Sequence, residues 1–122
     1  MNGIVYALCY REVNGAERVF YIGRTRKALQ VRLEEHRRGA LDPFNPKPAY
    51  EFIRASNLIG EFYAIEICQE TEFTEAEIIY AARHSGQPLM NASQGDSIIP
   101  RLRRQRSTFS KLNRQALGKM LP

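Results

Sequence analysis

The tightest constraint on the fold lies near the beginning of the chain, where an Asn14-Gly15 pair separates two strand-like runs. Asn-Gly in that setting is the strongest short-range signal for a β-hairpin, because both residues tolerate the positive φ that a tight reversal demands. Ile4 to Tyr10 is apolar at every position, as expected of a central strand covered on both faces. Arg18 to Gly23 returns as its partner.

The remaining elements follow from periodicity and punctuation. Thr25 is placed to N-cap a helix running to about Arg38, with Leu29, Leu33 and Ala40 on one face and Gly39 at its C-terminal end. Asp42 to Pro48 holds three prolines and reads as a loop. A second helix is expected from Ala49 to Leu58, with Ala49, Tyr50 and Ile53 on its apolar side and Gly60 as its breaker. Glu61 to Cys68 alternates as a third strand. Thr74 followed by Glu77 matches a capping box, opening a helix that Gly86 and Pro88 close after Ser85. Leu89-Met90-Asn91 is a short extended piece, Asp96 to Pro100 a linker, and a last basic amphipathic helix starts near Ser110. The order β-β-α-α-β-α predicts an α/β fold: a small, mainly antiparallel three-stranded sheet flanked by helices. A basic helical extension, residues 97–122, follows the domain at 1–96.

Charge is distributed unevenly. The net charge of +5 arises from seven basic residues and no acid in 97–122, against eleven basic and thirteen acidic residues, a net of −2, in 1–96. A concentrated cationic segment suits a polyanion, since neutralising each phosphate releases counterions. A second basic zone lies between residues 24 and 38, with six cations against two acids. No apolar run approaches the ~20 residues that span a bilayer, and the basic-then-apolar layout of a secretory leader is missing. Cys9 and Cys68 sit in apolar strand-like runs and are expected as buried free thiols. Two Cys and two His without ligand spacing argue against structural zinc. These features predict a cytoplasmic protein with no membrane partner.

The candidate functional residues each have an ordinary structural explanation when taken alone. Tyr6 and Tyr21 are strand tyrosines, Arg32 and His36 an i,i+4 pair at the edge of the Leu29/Leu33 stripe, Glu77 a capping-box partner, and Asn91 a turn residue. Their joint occurrence resembles the GIY-YIG nuclease family across roughly residues 3–96. Gly3-Ile4-Val5-Tyr6 stands where the family has its first signature, spelled here IVY with the tyrosine retained. Phe20-Tyr21-Ile22-Gly23 carries the second intact. Arg24-Thr25 and then Arg32-Leu33-Glu34-Glu35-His36 resemble the family's R-L-x-x-H helix, and Phe73 to Gly95 resembles its acidic helix with a Gly-x-Pro-Leu-x-Asn segment.

The resemblance implies a metal-dependent DNA endonuclease. Tyr6 would take the proton of the attacking water and Tyr21 would hydrogen-bond in the same site. His36 is an alternative base with a better intrinsic pKa. Arg32 offers a forked charge to the phosphate, Asn91 braces the site, and Gly23 lets the backbone turn out of the second strand. Hydrolysis of a phosphodiester also needs charge relief at the leaving oxygen, which one carboxylate holding Mg²⁺ or Mn²⁺ can supply. Glu77 is favoured as that metal ligand for its spacing to Leu89-Met90-Asn91 and to Tyr80, with Glu75 the competitor. Besides Gly23, the substrate contacts are expected from Arg24, Arg26, Lys27, Arg37 and Arg38, and from Arg101, Arg103, Arg104 and Arg106 in the tail. Double-stranded DNA is the expected partner, with a homodimer for cutting both strands. Two rivals are a non-catalytic nucleic-acid-binding module with the same fold and an adaptor whose tail docks an acidic protein.

Overall fold

The computed structural model of the protein describes residues 3–91. The expected linker, the final helix and the four tail arginines fall outside them. β1 (Ile4–Arg11), β2 (Glu17–Thr25) and β3 (Tyr63–Gln69) form one sheet of order β2-β1-β3, antiparallel at both junctions. The helices are α1 (Leu29–Leu41), α2 (Pro48–Ala55) and α3 (Glu75–His84).

The period of two along β1 builds two cores. Val5, Ala7 and Cys9 pack with Ile78, Ile79, Ala81 and Ala82 of α3. Tyr6 and Leu8 pack on the opposite face with Leu33 and Ala40 of α1 and Ala49, Tyr50 and Ile53 of α2. β1 is thus the covered central strand that its apolar run predicts, and both cysteines are buried and free. Among the described residues no helix is long and apolar enough to cross a membrane.

One irregularity in β2 decides what the α1/α2 face presents. Leu8 pairs with Tyr21 but Cys9 pairs with Val19, so Phe20 is an extra, bulged residue. The bulge lets two successive aromatics, Phe20 and Tyr21, pack into the same layer. The hairpin itself closes with Gly15 in the left-handed region (φ 87°) after a turn in which its N–H donates to the Glu12 carbonyl at 2.8 Å. Asn14 Oδ1 accepts from the Ala16 N–H at 2.9 Å. This is a longer, bulged reversal rather than a two-residue loop.

β2 is also an edge strand, and residues 87–91 satisfy its open side. Gln87 Oε1 accepts from the Val19 N–H at 3.0 Å, and the Met90 N–H donates to the Phe20 carbonyl at 2.7 Å. The Asn91 amide takes both main-chain groups of Ile22, at 2.9 and 2.7 Å.

Several local expectations give way to longer-range contacts. The N-cap of α1 is Ala28, which makes no side-chain cap; Thr25 ends β2, and its hydroxyl accepts from the Lys27 N–H at 3.0 Å. Gly39 lies inside α1, where a Cβ would run into the Tyr50 ring; close approach, not helix termination, selects glycine there. α2 starts at Pro48 as a first-turn proline and ends at Ala55, and Asn57 (φ 57°) turns the chain before Gly60 does. Gly23 is likewise not a turn but an interior residue of β2. The capping box at α3 forms as expected, with Thr74 Oγ1 accepting from the Glu77 N–H and Glu77 Oε1 from the Thr74 N–H, each at 3.2 Å.

A test of this packing is Gly39→Ala. Alanine improves helix propensity by about 1 kcal/mol, whereas overpacking a fitted core costs about 1–3 kcal/mol. Tyr50 is buried and tied to His36, so it cannot swing aside. The expected outcome is a lower urea midpoint with an unchanged slope; an equal or higher midpoint would show that the contact is slack.

Candidate active site

Tyr6 rises from the middle of β1 directly opposite Gly23 of β2. A Cβ at position 23 would stand 2.5 Å from the Tyr6 hydroxyl oxygen and 2.6 Å from Cζ. The missing side chain is therefore the space in which the phenol lies across the hairpin. The ring is fully buried, yet its hydroxyl is well partnered. Arg32 Nε donates to it at 3.2 Å, and His36 Nε2 lies 2.6 Å away. One turn of α1 separates Arg32 from His36, so a single helix face delivers both.

His36 continues the chain through Nδ1 to the Tyr50 hydroxyl at 2.9 Å. The Tyr21 ring meets it edge-on with centroids 5.5 Å apart. Lys47, the N-cap residue of α2, completes the cluster: its Nζ donates to the Tyr21 hydroxyl at 3.3 Å and stands 4.6 and 5.1 Å from the Tyr21 and Tyr50 ring centroids. Glu35 accepts from Arg32 Nη1 at 3.2 Å and from Lys27 Nζ at 2.6 Å, bracing the guanidinium from the solvent side.

Burial and charge set the protonation states. Burial pushes the Tyr6 hydroxyl up to about 12, although Arg32 pulls the other way. Burial, reinforced by Arg32 and Lys47, drives His36 down to about 3, so the imidazole is neutral near pH 7. A neutral imidazole has one N–H; it donates to one of its two tyrosines and accepts from the other. Tyr6, His36 and Tyr50 thus form a hydrogen-bonded row whose direction is set by the imidazole tautomer, with Arg32 a fixed donor at its Tyr6 end.

The two acidic candidates part company at α3. Glu77 is fully buried and engaged in the capping box, on the side where its charge bears on Cys68. Glu75 is half-buried and hydrogen-bonded by the Arg24 main chain. Burial raises its carboxyl, with Glu70 adding to the rise and Arg24 and Lys47 opposing it. Its charge in turn acts, after burial, to raise Tyr21. Glu75, not the favoured Glu77, therefore neighbours the Tyr21–Lys47 end of the cluster. Asn91 is occupied in holding Ile22, next to Tyr21, which makes it a brace rather than a reacting group.

Arg24, Arg26, Lys27 and Arg38 are exposed. Arg24 pairs with Glu70 at 3.0 Å, and with Thr25 and Arg26 the two line a cavity of about 230 Å³. Arg37 reaches only its neighbour Glu34, at 3.5 Å. Lys47 and Tyr50 were not singled out for the site by sequence: one sits in a proline-rich loop and the other on an apolar helix face, and neither carries a local signal. Among the described residues no group of three or more His, Cys, Asp or Glu side chains could hold a metal. Compared with known proteins, the chain matches no family model, no curated protein and no solved structure.

His36 predicts a specific pH dependence of stability. Its pKa falls from about 6.5 in the unfolded chain to about 3 when folded, so the unfolded state binds the extra proton between those values. Its contribution is complete above pH 6.5 and is lost as pH falls toward 3. Urea midpoints of the wild type should decline over that window and those of His36→Gln should decline less; parallel curves would show that His36 protonates freely.

Proposed function

We propose that the chain is a metal-dependent endonuclease of the GIY-YIG type, hydrolysing phosphodiesters in double-stranded DNA. The observation that carries this reading is the buried Tyr6 hydroxyl held between the Arg32 guanidinium and the neutral His36 imidazole. A phenol so placed is an expensive way to fill a core but an effective way to handle a proton.

Attack by water at phosphorus requires that its proton leave as the P–O bond forms. Tyr6 accepts that proton while passing its own to His36 Nε2; His36 gives its Nδ1 proton to the Tyr50 hydroxyl, and Tyr50, 6% exposed, releases its own to solvent. Moving the protons together avoids both a phenolate near pKa 12 and an imidazolium near pKa 3. Arg32, with Nε on Tyr6 and Nη1 on Glu35, keeps Nη2 for a non-bridging phosphate oxygen. Lys47 supplies a second cation beside Tyr21.

Glu75 is the carboxylate we assign to the metal, in place of Glu77. Its raised carboxyl, beside Glu70, is one a cation would stabilise. The lack of a three-ligand cluster suits Mg²⁺, which keeps several waters and takes one or two protein carboxylates. Held there, Mg²⁺ or Mn²⁺ would offset charge on the departing 3′ oxygen. Arg24, Arg26, Lys27, Arg37 and Arg38 then serve as phosphate contacts that position the duplex without reading its sequence.

Plasmid nicking tests the assignment. Tyr6→Phe and Glu75→Gln should each slow metal-dependent nicking by roughly 10²–10³-fold. Glu77→Gln should keep it, and keep the capping box too, since the amide oxygen of glutamine still accepts the Thr74 N–H. Undiminished nicking by Tyr6→Phe would remove Tyr6 as the base; a wild type without metal-dependent nicking would reduce the protein to a nucleic-acid-binding module; loss confined to Glu77→Gln would restore that residue as the ligand.

A further inference from the structure

The loop from Asp42 to Lys47, between α1 and α2, carries Phe44, 91% exposed and the only exposed aromatic among the described residues. An exposed phenyl ring is ordinarily free to fold back onto nearby apolar surface, and Leu41 is close by in sequence and itself exposed. Here the main chain that carries the ring is held in place. Arg54 grips it from α2 through three main-chain carbonyls, those of Ala40 at 3.1 Å, Asp42 at 2.8 Å and Asn45 at 2.7 Å. Asp42 Oδ1 accepts from the Phe44 N–H at 3.0 Å, and Asn45 Oδ1 from the Lys47 N–H at 3.1 Å. Pro43 and Pro46, on either side of Phe44 and Asn45, fix two further φ angles. At its far end the loop is moored in the site, where Lys47 reaches the Tyr21 hydroxyl.

An exposed aromatic on a held loop, three residues from the Lys47 cation, has a defined reach. Three residues span at most about 10 Å, and successive base pairs rise about 3.4 Å per strand. We propose that Phe44 is a base-stacking contact, presented by the Arg54-held loop to an unpaired or unstacked nucleobase within about three nucleotides of the phosphate engaged at Lys47. The inference rests on the nuclease reading for the position of the nucleic acid, but it concerns binding rather than cleavage. An apolar ring against a base is sequence-tolerant, which suits a protein whose other contacts are to phosphates.

The chain contains no tryptophan, so Phe44→Trp installs a single reporter at the proposed contact. Binding to a labelled duplex with a single-stranded overhang is measured in EDTA, where cutting does not interfere. Phe44→Trp should bind like wild type and lose indole fluorescence as duplex is added. Phe44→Ala should bind roughly tenfold more weakly, as stacked aromatics do on truncation, with an unchanged salt slope because no charge is removed. Lys47→Met should instead lower that slope by about one. An unquenched tryptophan, or equal affinity of Phe44→Ala, overturns the stacking contact. Quenching that rises with protein concentration in the absence of DNA assigns Phe44 to a contact between copies and overturns it equally. A wild type that binds no duplex sinks this inference and the nuclease reading together. Quenched binding with no nicking on adding Mg²⁺ removes the nuclease reading alone.

Discussion

The passage of the Tyr6 ring across Gly23 is the contact on which both the packing and the site depend. A phenol buried between two strands and a helix is acceptable only if its hydroxyl finds partners, since an unpaired buried hydroxyl costs at least about 1–3 kcal/mol. Here α1 brings two, one face of a single helix carrying both Arg32 and His36. The core and the candidate site are therefore one object. Seating α1 on the sheet assembles the site, and the hydrogen bonds of the site in turn fix how α1 sits.

The same layer is unusual in its electrostatics. His36, Tyr6, Tyr21 and Tyr50 form an aromatic cluster with little room for water, while Arg32 and Lys47 stand at its border. Burial, reinforced by the cations, keeps the imidazole neutral, and the cations leave the cluster positively biased. Glu35 moderates this by holding Arg32 and Lys27. The order of the cluster comes from rings and hydrogen bonds, not from the exposed ion pairs, each of which is worth little on its own.

The edge of β2 links the opposite layer to this arrangement. Its outward groups are met in turn by Gln87, Met90 and Asn91, and Arg24 by Glu75. α3 packs on the face away from Tyr6, but its first turn and the segment after it return to the strand that carries Tyr21. Closing an edge strand, which any such sheet must do, is also the means by which a carboxylate from the far layer comes near the cluster.

What could be read from the chain was what its local pattern dictates. The hairpin, the doubly covered β1 and the Thr74–Glu77 capping box depend on neighbours within a few residues, and each stands as expected; β3 forms too, but a bulge at Ile67 breaks its alternation and puts Ile67 and Cys68 in one core. Tyr6, Tyr21, Arg32 and His36 are nominated by the resemblance of their motifs to a family pattern; strand pairing and helical spacing alone leave each with an ordinary structural explanation. Tertiary structure decided the rest. Gly39 and Gly23 are glycines because of Tyr50 and Tyr6, which are distant in sequence. Thr25 looks like a cap but belongs to a strand that β1 extends by pairing. Glu75 and Glu77 differ only in which way α3 is turned on the sheet, and Lys47 matters only because α2 docks beside Tyr21. Such choices are made by side chains meeting across elements, where packing energies exceed local propensities of a few tenths to about 1 kcal/mol.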